Sequence, residues 1–426
     1  MHLQQPNINL ERLIKMKILL VNNHFSNSGG AELYMLNLGN LLKKNGHEVF
    51  YFATDRRPYF EEDYKYAEYF PEYVEYQDLS KLQLIKKAFT PFYNTEAERK
   101  MKLMLEEVKP DIVHINCIFF KLTPSILKPC YKRNIPVVIT THGPQLICPS
   151  VKMMYKSEVF CKDKLCIHGN PIHCITNRCC GGSLIKSTGL AAEFTFRKIH
   201  GLYNKISHYI SPSQALADLT IESGINKNKV TCINNFVKDE LFEIVPTYGK
   251  GDYFLFAGRL SKEKGVRELL EAMKLLPQEI NLKIAGVGPE ENALKELKKE
   301  LDLSNVEFLG FITGEELCNL YKNCIATIIP CNWFENFPTS VIESFAYAKP
   351  VVGTRIGGIP EMVEDYKTGL TFELKNIEDM AAKIKEIYFN DQLTLEMGRN
   401  ARKKAESRYR ANHYYEKLIE IYNTVV

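Results

Sequence analysis

Short apolar runs that each end in a glycine or polar turn and lead into a helix recur along this chain. Residues 17–21 are apolar and stop at Asn22-Asn23-His24, and Ser28-Gly29-Gly30-Ala31-Glu32 then opens a helix. Leu33, Leu36, Leu38, Leu41 and Leu42 give that helix one apolar face, Gly46 stops it, and residues 48–53 form the next apolar run. Strand, glycine turn, helix and strand make a βαβ unit, which requires a parallel sheet and a right-handed crossover. The same alternation returns at residues 110–116, 135–140 and 209–213, and again at 253–257, 282–285, 306–309, 325–329 and 350–352. A chain of 426 residues exceeds the size at which a single core usually stops growing, so two such α/β domains are expected. The polar, glycine-containing segment Tyr248-Gly249-Lys250-Gly251-Asp252 sets their boundary between 237 and 252.

Composition narrows the functional class. Hydrophobic residues make up 45% of the chain and charged residues 25%, as in ordinary globular domains, and the net charge is only +4. That balance is too mild to indicate a nucleic-acid partner, although it permits contact with an anionic membrane surface. No apolar run approaches the ~20 residues that span a bilayer. Residues 1–16 are polar and lack the apolar core of a secretory signal, so they read as an N-terminal extension, and a cytoplasmic location is expected.

Several strand ends carry chemistry. After residues 253–257 come Gly258-Arg259-Leu260, Lys262, Lys264 and Gly265. Gly258 lets the chain turn sharply beside a ligand, and Arg259 and Lys264 place two positive charges where a diphosphate could lie. Gly286 and Gly288 follow residues 282–285, and Gly310 follows 306–309, as at nucleotide-binding strand–helix junctions. After residues 325–329 a polar loop holds Glu335, a helix starts near Pro338, and Glu343 lies on it. By themselves Glu335 and Glu343 read as solvated surface charges. Thr141-His142-Gly143 lies just past a buried strand; a histidine there can donate to a phosphate or sugar oxygen, though a lone one is more often structural. His114 reads as structural. The Tyr-, Glu- and Lys-rich residues 55–100 suggest no chemistry.

Together these residues resemble glycosyltransferase family four, the group 1 glycosyl transferases of retaining type. The resemblance rests on Glu335 and Glu343 with seven residues between them, the Phe337-Pro338 pair, Ala346, Pro350-Val351-Val352, Gly357-Gly358-Ile359-Pro360-Glu361, Gly258-Arg259-Leu260 and Lys264-Gly265. It covers most of residues 17–426, more closely in the second half. It implies a GT-B fold, α/β, with two Rossmann-like parallel-sheet domains facing each other across a cleft. Residues 17–240 would form the acceptor-binding domain, 252–408 the nucleotide-sugar domain, and 409–426 a last helix returning to the first domain. It also implies roles: Arg259 and Lys264 on the donor diphosphate, Glu335 on the donor sugar, Glu343 on the ribose and His142 on the sugar or its phosphate. Gly29, Gly30, Gly258, Gly286, Gly288, Gly310, Phe337, Pro338 and Thr339 would shape the donor site. Asn234-Asn235-Phe236 departs from the asparagine–glycine turn of the family's hinge segment.

The activity so implied is transfer of a sugar from a UDP- or GDP-sugar to a glycan or lipid-linked acceptor. Polysaccharide, lipopolysaccharide or glycolipid synthesis at the cytoplasmic face of a membrane is the expected setting. No Asp-x-Asp pair occurs, which fits an enzyme that needs no metal or other cofactor for catalysis. A nucleotide-sugar epimerase, a glucan synthase or phosphorylase, and a non-catalytic nucleotide-sugar-binding protein share the expected fold and remain as alternatives.

One segment stands outside this scheme. Six of the twelve cysteines lie between Cys148 and Cys180. Cys161 and Cys166 are separated by four residues, as are Cys174 and Cys179, so these four could form a tetrahedral zinc site. An irregular insertion with buried thiols accounts for the same pattern. In either case the role is structural.

Overall fold

The computed structural model describes residues 15–27, 29–75, 80, 87, 89–156, 159–248 and 251–426. The extension at residues 1–14, Ser28 and residues 249–250 of the expected linker lie outside the described residues. Two six-stranded sheets carry the fold. The first comprises β1 (Lys17–Asn22), β2 (Glu48–Phe52), β3 (Ile112–Cys117), β4 (Val137–Thr140), β7 (His208–Ser211) and β8 (Val230–Cys232), in the order β2-β1-β3-β4-β7-β8. Its pairs β1–β2, β1–β3, β3–β4 and β7–β8 are parallel. A short antiparallel pair, β5 (Met154–Tyr155) with β6 (Val159–Phe160), lies in the cysteine-rich insertion. The second sheet comprises β9 (Tyr253–Ala257), β10 (Leu282–Ala285), β11 (Val306–Gly310), β12 (Cys324–Ile329), β13 (Val351–Thr354) and β14 (Gly369–Phe372). It is parallel throughout, in the order β11-β10-β9-β12-β13-β14.

By compactness the chain divides into two units. One is Met1–Ile139 with Leu202–Ser207 and Tyr422–Val426; the other is Thr140–Gly201 with His208–Ile421. In the first, the apolar run of β1 is buried, and Leu36, Leu38, Leu41 and Leu42 of the Gly30–Lys44 helix are buried with it. Leu33, expected on the same face, is 47% exposed, because it sits on the first turn of that helix. His114 is buried in the same unit, its Nδ1 2.5 Å from the Tyr422 hydroxyl. In the second unit every residue of β12, β13 and β14 is buried, as a sheet covered on both faces requires. Phe254, Leu269, Ile284, Ile328 and Ile384 are among the residues that form its main core. The C-terminal helices are Ile377–Phe389, Asp391–Arg408 and Ala411–Val425. No described helix is long and apolar enough to cross a membrane.

The second sheet has the strand order that reverses direction at its centre. Chain growth runs outward from β9 to β11 on one side and from β12 to β14 on the other. The crossovers therefore leave opposite faces at β9 and β12, and a crevice opens beyond the carboxyl ends of those two strands. Gly265 makes the approach of the two loops there possible. It has φ +72°, and a Cβ on it would collide with the Pro330 carbonyl at the end of β12. Gly265→Ala should therefore cost more than about 1 kcal/mol, through left-handed strain and loss of loop contact. Gly30→Ala, whose Cβ would meet open space, should stay within about 0.5 kcal/mol. Denaturant midpoints of the two variants check the contrast.

Candidate active site

At the crevice beyond β9 and β12, one lysine and one glutamate meet. The loop after β9 makes a single 3-10 turn, Lys262–Lys264, which brings the Lys264 side chain back across the strand end. Its Nζ lies 2.6 Å from Glu335 Oε2. The two loops are also joined through the backbone, where Asn332 N–H donates to the Glu263 carbonyl at 2.8 Å. Burial raises the Glu335 carboxyl, but the Lys264 charge and the donors around it outweigh that and hold it below its usual range. Lys264 is the mirror case: burial works against its charge, and Glu335 more than restores it. Trp333 Nε1–H and the Cys331 thiol also donate to Glu335 Oε2, at 3.0 and 3.4 Å. Sequence reasoning assigned neither a role. The available signal was the chain's only tryptophan standing two residues before Glu335.

Arg259 is exposed and makes no ion pair among the described residues, so its guanidinium is free to meet a ligand. Glu343, half-buried on the Thr339–Ala346 helix, accepts from the Tyr321 hydroxyl at 2.8 Å. Burial pushes the Glu343 carboxyl up, and the Tyr321 hydrogen bond opposes it. Tyr321 in turn stacks on Tyr347, with ring centres 5.5 Å apart and planes 1° from parallel. Pro338 caps that helix and Thr339 is exposed at its first turn. Phe337 does not offer its side chain: the ring is buried against Tyr409, edge-on at 5.5 Å. The expected contribution of Phe337 to a donor pocket is thus limited to its backbone, because an apolar ring gains more from the core.

The glycines separate by what they touch. A Cβ on Gly286 would strike the Gly258 carbonyl, and one on Gly288 the Leu260 carbonyl, so both serve the packing of one loop on another. Gly258 itself would meet only the Phe256 ring, and Gly310, at φ +74°, faces open space. Gly357 and Gly358 press on the carbonyls of Glu335 and Asn336, and Gly358 N–H donates to the Glu335 carbonyl at 2.9 Å. They hold the backbone that presents Glu335.

His142 lies in the same unit, half-buried just past β4. The neighbouring Thr141 carbonyl accepts from Asn336 Nδ2 at 3.2 Å, and Asn336 Oδ1 accepts from the Ser213 hydroxyl at 2.5 Å. Ser213 also caps the Gln214–Glu222 helix by accepting from Leu216 N–H. Glu361 completes that cap, accepting from the N–H groups of Gln214 and Ala215 at 2.8 and 2.6 Å. Asn336, directly after Glu335, thus ties the glutamate loop to the segment that carries His142.

In the first unit, sheet order reverses at β1 and β3, and a polar cluster gathers beyond their ends. Asn22 Oδ1 and His24 Nδ1 are buried there without a hydrogen-bond partner. Arg56 and Lys121 lie over the Tyr73 ring at 4.7 and 4.2 Å, and the His24 and Tyr73 rings are 5.5 Å apart. Residues 55–100, read as devoid of chemistry, supply Arg56 and Tyr73. Gly29 is extended before the Gly30–Lys44 helix, and Gly30 is its first residue.

The zinc arrangement is not assembled. Cys161, Cys166, Cys174 and Cys179 are free thiols lining one largely apolar cavity of about 20 Å³. No group of three or more His, Cys, Asp or Glu side chains among the described residues is placed to hold a metal ion. Burial pushes the Cys166 thiol up to about 12, and the neighbouring Cys148, Cys179 and Cys161 add to the rise.

The family model described as Glycosyltransferase Family 4 matches residues 28–241, half of the chain, and that described as Glycosyl transferases group 1 matches residues 237–404. The chain belongs to glycosyltransferase family 4. Among the relatives of this family 4 protein is an uncharacterized glycosyltransferase of Methanocaldococcus jannaschii, 30% identical over 193 residues. That match spans 42% of this chain and 54%, about half, of the relative. Another is the N,N'-diacetylbacillosaminyl-diphospho-undecaprenol alpha-1,3-N-acetylgalactosaminyltransferase of Campylobacter jejuni, 26% identical over 264 residues, 58% of this chain and 69% of that one. Among solved structures, Anabaena HepE in complex with UDP-glucose superposes with a TM-score of 0.66 at 19% identity, covering 96% of this chain and 100% of that one. At that identity the likeness concerns the fold, and it agrees with the two Rossmann-like domains of a GT-B protein.

Burial holds the His142 imidazole down at about 4, below its ordinary 6.5. A depressed folded-state value gives stability that is complete above about pH 6.5 and is lost as pH falls toward 4, where only the unfolded chain takes up the proton. The unfolding midpoint of the wild-type protein should fall across that window, and His142→Gln should flatten the fall. Thermal unfolding followed from pH 7.5 to pH 4 checks this.

Proposed function

We propose that this family 4 protein is a retaining, metal-independent glycosyltransferase that moves a sugar from a UDP- or GDP-sugar to a glycan or lipid-linked acceptor. The observation that carries the reading is the Lys264–Glu335 contact at the reversal point of the second sheet, with the unpaired Arg259 on the same strand end. A cation pair and a carboxylate presented together suit a nucleoside diphosphate joined to a polyhydroxyl group. The diphosphate gains negative charge as the glycosidic bond breaks. Arg259 and Lys264 would stabilise that charge with positions fixed before the reaction begins. Glu335 would accept from the donor sugar's hydroxyls and Glu343 from the ribose hydroxyls. His142, neutral at physiological pH, would serve as a hydrogen-bonding partner for the sugar or its phosphate.

Retention would follow from front-face attack, the acceptor hydroxyl passing its proton to the departing phosphate oxygen as the new bond forms on the same face. The UDP-glucose bound by Anabaena HepE and the diphospho-undecaprenol in the C. jejuni relative's name support a nucleotide-sugar donor and a lipid-linked acceptor. In this reading residues 17–240 receive the acceptor, residues 252–408 bind the donor, and the protein works in polysaccharide, lipopolysaccharide or glycolipid synthesis at the cytoplasmic face of a membrane. Polar residues beyond the strand ends of the first sheet, His24 after β1 and Arg56 after β2 among them, are the acceptor-side candidates in the first unit.

A panel of UDP- and GDP-sugars screened by thermal shift identifies the donor, and transfer is then measured with it. Glu335→Ala and Lys264→Ala should each abolish transfer while a cooperative melt persists. Arg259→Ala should leave the melting temperature unchanged and lower kcat/KM about 10- to 100-fold, the loss of one charge-assisted bond in the transition state. Near-normal turnover in the Glu335 or Lys264 variant would refute the assignment. The anomeric configuration of the product tests retention, and nucleotide release without acceptor would point to an epimerase.

A further inference from the structure

The three donors around Glu335 all reach the same oxygen. Lys264 Nζ, Trp333 Nε1 and Cys331 Sγ lie 2.6, 3.0 and 3.4 Å from Oε2, whereas Oε1 has no partner among the described residues. We propose that Trp333 is a positioning residue for Glu335: its indole N–H pins Oε2 and leaves Oε1 as the oxygen presented to the donor sugar. The inference rests on the donor reading above and adds the element that fixes the orientation of the carboxylate.

A lysine ammonium is a rotatable point charge and cannot by itself select one carboxylate oxygen or stop the group from turning. The indole N–H is a single donor in a fixed direction, carried on a half-buried ring. Cys331 adds a second direction. Its thiol is buried, and desolvation pushes it up, so it stays protonated and able to donate. The two neutral donors also differ from Lys264 in what competes for them. A diphosphate entering the crevice draws the ammonium toward itself, and the indole and thiol then remain to hold Oε2. Trp333 contributes on the lysine side as well, since Lys264 Nζ lies 5.6 Å from the centre of its ring. Glu335 can in this way share its cation with the donor and keep its aim.

The single tryptophan makes the contact directly observable. In wild-type protein carrying 15N-tryptophan, one indole N–H resonance is expected, and Glu335→Gln should shift it. Trp333→Phe, which keeps an aromatic ring beside Lys264 and removes the N–H, should bind the best nucleotide sugar from the panel about tenfold more weakly, the loss of one bond to a charged group. Its affinity for the matching nucleoside diphosphate should be unchanged. With one donor lost, the Glu335 carboxyl rises, so the acid limb of kcat/KM should move to higher pH. An indole resonance indifferent to Glu335→Gln would overturn the proposal, as would equal weakening of nucleotide sugar and diphosphate. If the indole moves with Glu335→Gln but the wild-type protein binds no nucleotide sugar, the pinning contact is supported and the donor reading fails.

Discussion

The ion pair between Lys264 and Glu335 is the interaction on which the second sheet's carboxyl edge is organised. Two charges brought out of water cost several kcal/mol each unless each finds its partner and further hydrogen bonds. Here the glutamate has three donors on one oxygen. Removing the lysine would leave a half-buried carboxylate with only neutral donors, so the surrounding loops must be built to keep the lysine where it is. That requirement accounts for Gly265, the only residue type that lets the lysine-bearing turn lie against the Pro330 carbonyl. It also accounts for Gly357 and Gly358, which allow a third loop to brace the Glu335 backbone.

The same loop is tied on its other side by Asn336. One carboxamide uses its carbonyl for Ser213 and its amide for Thr141, so a single side chain holds two segments from the first half of the sequence. Glu361 does comparable work from the next loop, capping the Gln214–Glu222 helix. Residues 333–336 are therefore constrained side chain by side chain, in keeping with a site that must present a carboxylate oxygen in one direction.

Much of this could be read from the amino acids alone. Alternation of apolar runs with glycine turns led to parallel α/β sheets, and both sheets are of that kind. The positions of Arg259, Lys264 and Glu335 at strand ends, and of Glu343 on the helix that follows, came from the same alternation. What could not be read were pairings across long sequence separations. Nothing local in Tyr321 announces that it serves a glutamate twenty-two residues away, whereas the single tryptophan two residues before Glu335 was a signal left unused. Phe337 entered the expected donor site through the family resemblance alone, and its ring is buried in the core. The spacing of Cys161, Cys166, Cys174 and Cys179 suggested a metal site, but spacing does not set where thiols point, and these four line an apolar cavity instead. Residues 55–100 hid Arg56 and Tyr73 because the groups that complete their cluster, His24 and Lys121, lie in other segments.

The composition of the first unit bears on how the chain is made. Most of that unit is Met1–Ile139, but Tyr422–Val426, beyond the whole of the other unit in sequence, belongs to it as well. Tyr422 is fully buried, and its hydroxyl meets His114, a buried residue in the middle of the parallel strand β3. On a ribosome, domains generally fold as they emerge, N-terminal first. Here the earliest strands must wait for the last helix before a buried imidazole has its partner. His114 and Tyr422 are 308 residues apart, so the unit is completed only after the other unit has been synthesised between its parts.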